Sequence, residues 1–86
     1  MKLSGVDFGE QGAKTLKATV RTNGKGGVIR ISKKLNDPTA AGYLPVESDG
    51  NEVTVCTTTV EGLQGVTDVY FTFSGEGYEI LDWIFE

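Results

Sequence analysis

Glu76 and Glu79 flank a glycine turn, three positions apart. Two carboxylates can act as general acid and base when a cleft holds them around a substrate. Here no nucleophile accompanies them, because the 86-residue chain has no histidine and one cysteine, Cys56. The lack of histidine removes Ser-His and Cys-His pairs and most transition-metal sites. Cys56 has no partner for an intrachain disulfide. It alternates with Thr54 and Thr58, which suits a half-buried strand position better than a reactive thiol. The stretch "NGKGG", 23–27, carries the glycines of a phosphate loop but joins two strand-like segments, whereas such a loop joins a strand to a helix. No catalytic constellation is expected. The remaining unusual pair is Asp82-Trp83, near the end of the chain in "EILDWIFE", which holds the only tryptophan.

The elements that position these residues read as strands. "TLKATVR" puts Leu16, Ala18 and Val20 on one face and Lys17, Thr19 and Arg21 on the other, the period-2 pattern of a half-buried strand. "VIRIS" continues it with Ile29 and Ile31 inward. "KKLNDPTAAG" is a loop with turn chemistry at Asn36-Asp37-Pro38. "GYLPVE" is a short strand that Pro45 marks as an edge, and "SDGNE" is a turn. "EVTVCTTTVEG" is β-branched throughout. "DVYFTFSG" puts Val69, Phe71 and Phe73 on one face and Tyr70 on the other. In the last strand, Leu81, Trp83 and Phe85 share one face, and Tyr78, Ile80, Asp82 and Ile84 the other. Apolar on both sides, that strand is expected to be central or covered. Strands every 8–12 residues with glycine turns predict one all-β domain over 1–86, an antiparallel β-sandwich.

Composition excludes several classes. The net charge is −4, against a nucleic-acid partner, which needs clustered Lys and Arg. No run of about 18 apolar residues marks a membrane span. The opening "MKLSGVDFGEQG" has no apolar h-region, so no signal peptide is expected in it.

Taken in order, Gly26-Gly27, "VIRIS", "LNDPTAAG", "YLPVES", "VTVCTTTV", "GVTDVYFTF" and "LDWIFE" resemble the motifs of the family 6 carbohydrate-binding modules. These are β-jelly-roll domains attached to plant-polysaccharide hydrolases. The resemblance covers nearly the whole chain. What has no counterpart is the N-terminal third of such modules, so it implies a truncated jelly roll. The function it implies is non-catalytic binding of xylan-, arabinan- or β-glucan-type polysaccharides, beside a parent glycoside hydrolase in an extracellular setting. An alternative is a structural or self-associating sandwich that has lost sugar binding, pairing as a homodimer through open sheet edges.

The resemblance also locates departures. The family's stacking tryptophan corresponds to the "ESDGNEV" loop, where Gly50 or Asn51 stands. Its sugar-bonding asparagine, two residues before Asp-Trp, is Ile80, and the histidine of its H-D-L-Y-L motif is Thr67. A pyranose offers apolar C–H faces to aromatic rings and hydroxyl edges to amides and carboxylates. The residues suited to that task are Tyr43, Asn51, Tyr70 and Tyr78, with Glu76 and Glu79 nearby. Trp83 is expected in the core. By the resemblance, Asp82 helps hold a structural Ca²⁺, a hard cation that prefers oxygen ligands.

Overall fold

The computed structural model describes residues 1–23, 25–34, 39–47 and 52–86. Gly24, the Asn36-Asp37-Pro38 turn and the loop with Gly50 and Asn51 lie outside the described residues. Seven strands are present among those described: β1 (Lys2–Asp7), β2 (Thr15–Thr22), β3 (Gly27–Ser32), β4 (Gly42–Val46), β5 (Val53–Thr59), β6 (Val66–Gly75) and β7 (Tyr78–Phe85). They form two sheets, ordered β1-β6-β3-β4 and β5-β2-β7, and every pairing is antiparallel. Sequence neighbours are split between the sheets, so most hairpins cross the sandwich. This is jelly-roll connectivity.

Alternation builds the core. Leu16, Ala18 and Val20 of β2 face Ile29 and Ile31 of β3, Leu44 and Val46 of β4, and Val69 and Phe71 of β6, all buried. Burying each of the larger side chains contributes about 1.5–3 kcal/mol. Loop residues Val60 and Leu63 close one end. Pro45 lies on β4, an edge strand as its missing donor requires.

The structure corrects the reading of β7 in two ways. First, a β-bulge interrupts its register with β2: Thr19 pairs with Asp82, but Val20 pairs with Ile80. The extra residue, Leu81, is turned outward and is 41% exposed. The inward set is therefore Tyr78, Ile80, Trp83 and Phe85, all partly buried against the core. Strict alternation across the strand assigned Leu81 to the inner face because one inserted residue reverses the phase of everything beyond it. Second, among the described residues β7 is not central but one of the two edges of the three-stranded sheet. β1 was not recognised as a strand for a similar reason. A bulge lies between Leu3 and Val6, where Gly5 adopts φ +62 and its N–H donates to Asp68 Oδ1 at 2.9 Å.

The β6–β7 end is held by close backbone approach. A Cβ on Gly27 would fall on the Ser74 carbonyl oxygen, and one on Gly26 would fall on that of Val46. These glycines admit the ladder Gly27↔Gly75 and Gly27↔Val46.

Candidate functional site

The outward face of the four-stranded sheet gathers two of the expected residues. Tyr43 on β4 lies opposite Arg30 on β3, and Arg30 lies opposite Thr72 on β6. One row along, Ser32 pairs with Tyr70, which pairs with Lys2 of β1. Strand alternation puts all of these on one face. From strand spacing and rise, the Tyr43 and Tyr70 Cα atoms are about 12 Å apart. Tyr43 is 56% exposed. Tyr70 is half-buried, and Lys2 Nζ stands 5.7 Å from its ring centroid. Such a cation–π contact is worth about 0.5–1 kcal/mol at an exposed site. Lys2 also pairs with Asp68 at 3.7 Å, so Tyr70 sits beside an ion pair with hydrogen-bonding capacity. Ser32 is fully buried and donates to the Lys34 carbonyl at 2.9 Å, which anchors the chain leaving β3.

Tyr78 is elsewhere. It faces inward from β7, and its hydroxyl is 2.6 Å from the Ser74 carbonyl and 3.3 Å from that of Val28. Its ring stands 6.2 Å from that of Phe73. Desolvation raises its pKa above 10.0, partly opposed by the Ser74 bond. Its hydroxyl is thus engaged by backbone, which corrects the expectation of an exposed ring. A folded-state pKa above the unfolded value means stability that is intact below about pH 10 and is lost as pH rises beyond it. Tyr78→Phe is expected to lower stability by about 1 kcal/mol and to flatten that alkaline loss; urea titrations at pH 8 and pH 10.5 check both.

Near Tyr78, an open recess of about 290 Å³ is lined by Arg21, Thr22, Asn23, Gly77, Tyr78 and Glu79. Arg21 bonds Glu79 at 3.1 Å and lies 3.6 Å from Glu52, while Lys25 bonds Glu76 at 2.9 Å. Both carboxylates weighed as an acid–base pair thus carry a cationic partner. Exposed pairs of this kind contribute about 0–1 kcal/mol each. Ile80, where the resemblance places an amide, packs inward against the core.

Asp82 points outward from β7, opposite Thr19. Calcium takes six to eight oxygen ligands. Among the described residues, no group of three or more Asp, Glu, His or Cys side chains could hold a metal ion. No helix among the described residues is long and apolar enough to cross a membrane.

Sequence reasoning singled out aromatics and missed Arg30, Thr72 and Lys2, which surround Tyr70 and Tyr43. Their signal was present as outward positions in strands already recognised for β3 and β6. It needed the cross-strand register to become a surface.

Comparison with known proteins agrees with this architecture. The family model for the carbohydrate binding module (family 6) matches residues 1–86. An arabinoxylan arabinofuranohydrolase from Paenibacillus polymyxa is 40% identical over 74 residues, covering 84% of this chain and 12% of the relative. A glycoside hydrolase family 43 arabinoxylan arabinofuranohydrolase from Bacillus subtilis, solved with cellotetraose, superposes with a TM-score of 0.87 at 32% identity, over 98% of this chain and 18% of that one. A family 6 module from Clostridium cellulolyticum, solved with xylose, gives 0.84 at 30% identity, over 99% of this chain and 69% of that one. With the motifs, the sheet order and the match along its whole length in agreement, this chain belongs to the family 6 carbohydrate-binding modules.

Proposed function

We propose that this module binds plant polysaccharides of the xylan, arabinan or β-glucan type through the outward face of the four-stranded sheet. Its role is non-catalytic: it holds a parent glycoside hydrolase on its substrate. The observation that carries this reading is the pair of tyrosines on one face, Tyr43 exposed and Tyr70 half-buried, with Arg30 and Thr72 on the strands between them. Rings at that separation are within reach of a short oligosaccharide, and the guanidinium and hydroxyl suit its edges. The relatives named above support the substrate class. An extracellular setting follows from it, because such polymers are too large to enter a cell.

Calorimetric titration with xylohexaose and cellohexaose tests the proposal. Millimolar affinity corresponds to only about −4 kcal/mol, so losing one stacking ring is a large fraction. Tyr43→Ala and Tyr70→Ala are each expected to weaken binding about tenfold, roughly 1.4 kcal/mol. Tyr78→Phe is expected to leave it unchanged. Binding that survives both alanine variants but disappears on changing Arg21 or Asn23 would move the site to the recess beside Tyr78. Heat from neither sugar would favour the structural alternative. Calcium is proposed only through Asp82. One carboxylate supplies at most two of the ligands needed, and the ion's role is structural, so a chelator is expected to lower the melting temperature while leaving sugar affinity unchanged.

A further inference from the structure

The chain has two arginines, Arg21 and Arg30, and their surroundings differ. Arg21, on the three-stranded sheet, is held by Glu79 at 3.1 Å and Glu52 at 3.6 Å. Arg30 is half-buried in the middle of the tyrosine-bearing face, on β3 between β4 and β6. Tyr43 and Thr72 lie directly across from it, and Pro45, Tyr70 and Ser74 lie on the diagonals. None of these is acidic. From strand spacing and rise, the Cα of Arg30 is about 5 Å from that of Tyr43 and about 8 Å from that of Tyr70.

The acids of this face lie towards its margins and are engaged on the β1 side. Asp68 pairs with Lys2 and accepts the Gly5 N–H, and Asp7 accepts the Gly9 N–H. Glu47, past the end of β4, is four residues from Tyr43, about 13 Å. A neutral sugar lowered onto Arg30 strips water from a guanidinium and returns no countercharge, which costs free energy. A sugar carboxylate returns it, through two parallel N–H···O bonds. Arg30 also takes part in an interaction within the fold. A guanidinium has five donors, enough to keep such a contact and meet a carboxylate as well.

We infer, resting on the sheet-face reading above, that this face selects a neutral main chain carrying isolated uronic-acid branches, and that Arg30 is the specificity residue that reads the carboxylate. The two tyrosines take the uncharged C–H faces of the main chain. Arg30, between them, takes the branch. A polymer charged at every sugar fits less well. Its further carboxylates would meet tyrosine faces, which repel negative charge, and approach Asp68 and Glu47. The net charge of −4 also opposes a dense polyanion.

Calorimetry with three ligands tests this: a xylo-oligosaccharide bearing one glucuronic-acid branch, the same molecule with its carboxyl reduced to the alcohol, and an oligogalacturonate. The reduced form keeps the shape and loses the charge. The acidic branch is expected to bind about tenfold more tightly than its reduced form, and more tightly than the oligogalacturonate. Arg30→Gln should bring the acidic and reduced forms to one affinity. Arg30→Lys keeps the charge but not the fork, and should leave a smaller preference. Lys17→Gln, at an exposed position on the other sheet, should leave the preference intact. Equal affinity for the acidic and reduced forms, with Tyr43→Ala still weakening both, overturns the inference and leaves the sheet-face reading standing. A preference that survives Arg30→Gln but disappears in Arg21→Gln overturns it as well, and moves the carboxylate to the other arginine. An oligogalacturonate that binds most tightly overturns the selection for isolated charges. Heat from none of the three ligands overturns both readings together.

Discussion

Phe71→Ala is expected to cost about 3–5 kcal/mol, the range for emptying a large aromatic site in a packed core. Phe71 is 1% exposed, and its ring meets both Trp83 and Phe85. It is the ring through which β6 of one sheet grips β7 of the other. Removing it leaves two aromatic neighbours without a packing surface, and backbone hydrogen bonds hold both strands too firmly for the gap to collapse. A domain of 86 residues has a total stability of about 4–13 kcal/mol at the usual per-residue value. The variant is therefore expected to be substantially unfolded at 37 °C. Urea unfolding followed through Trp83 emission checks this. Phe73→Ala, two residues along the same face but 42% exposed, is the matched comparison and should cost about 1 kcal/mol. Equal midpoints for the two variants would mean that the inter-sheet contact does not run through Phe71.

Gly27→Ala is expected to be nearly as damaging, about 2–4 kcal/mol, by a different cause. An added Cβ would fall on the Ser74 carbonyl oxygen of the neighbouring strand. That oxygen belongs to the β3–β6 ladder, in which Gly27 pairs with Gly75, while on its other side Gly27 pairs with Val46 of β4. Neither neighbour can withdraw without opening its own pairing, so the strain stays in the ladder. Gly9→Ala is the informative contrast. Gly9 has φ +74 and nothing within 4 Å of an added Cβ, so only the left-handed backbone penalty applies, about 1 kcal/mol. Thermal unfolding of both variants separates the two causes. If Gly27→Ala melts no lower than Gly9→Ala, the close approach of β3 to β6 is wrong.

Much of the fold was legible because alternation is a local property. Leu16, Ala18 and Val20 on β2, Ile29 and Ile31 on β3, and Val69 and Phe71 on β6 each announced a buried face two residues at a time, and all are buried. Pro45 announced an edge because a residue without an N–H has no place in a central strand. The half-buried position of Cys56 followed from its threonine neighbours in the same way.

The candidate surface was legible only in part. Tyr70 could be placed opposite Phe71 from alternation alone. That Tyr43 shares its face, two strands away, depends on β4 and β6 both flanking β3. Tyr78 shows the opposite failure. Its type suggested an exposed ring, but the Ser74 and Val28 carbonyls that hold its hydroxyl come from β6 and β3.

By itself the sequence determined the β class, the positions of β2 to β7 and most of the inward residues, because these follow from period-2 patterning and turn chemistry within a few residues. The ordered motifs also determined the family. Tertiary structure alone decided that β7 is an edge among the described strands, that Leu81 is turned out by a bulge while Ile80 is turned in, and which outward side chains share a surface. Those properties belong to pairs of strands distant in the chain. A bulge moves one residue relative to a partner, and an edge is the absence of a partner on one side. Neither leaves a periodic trace in the strand that carries it.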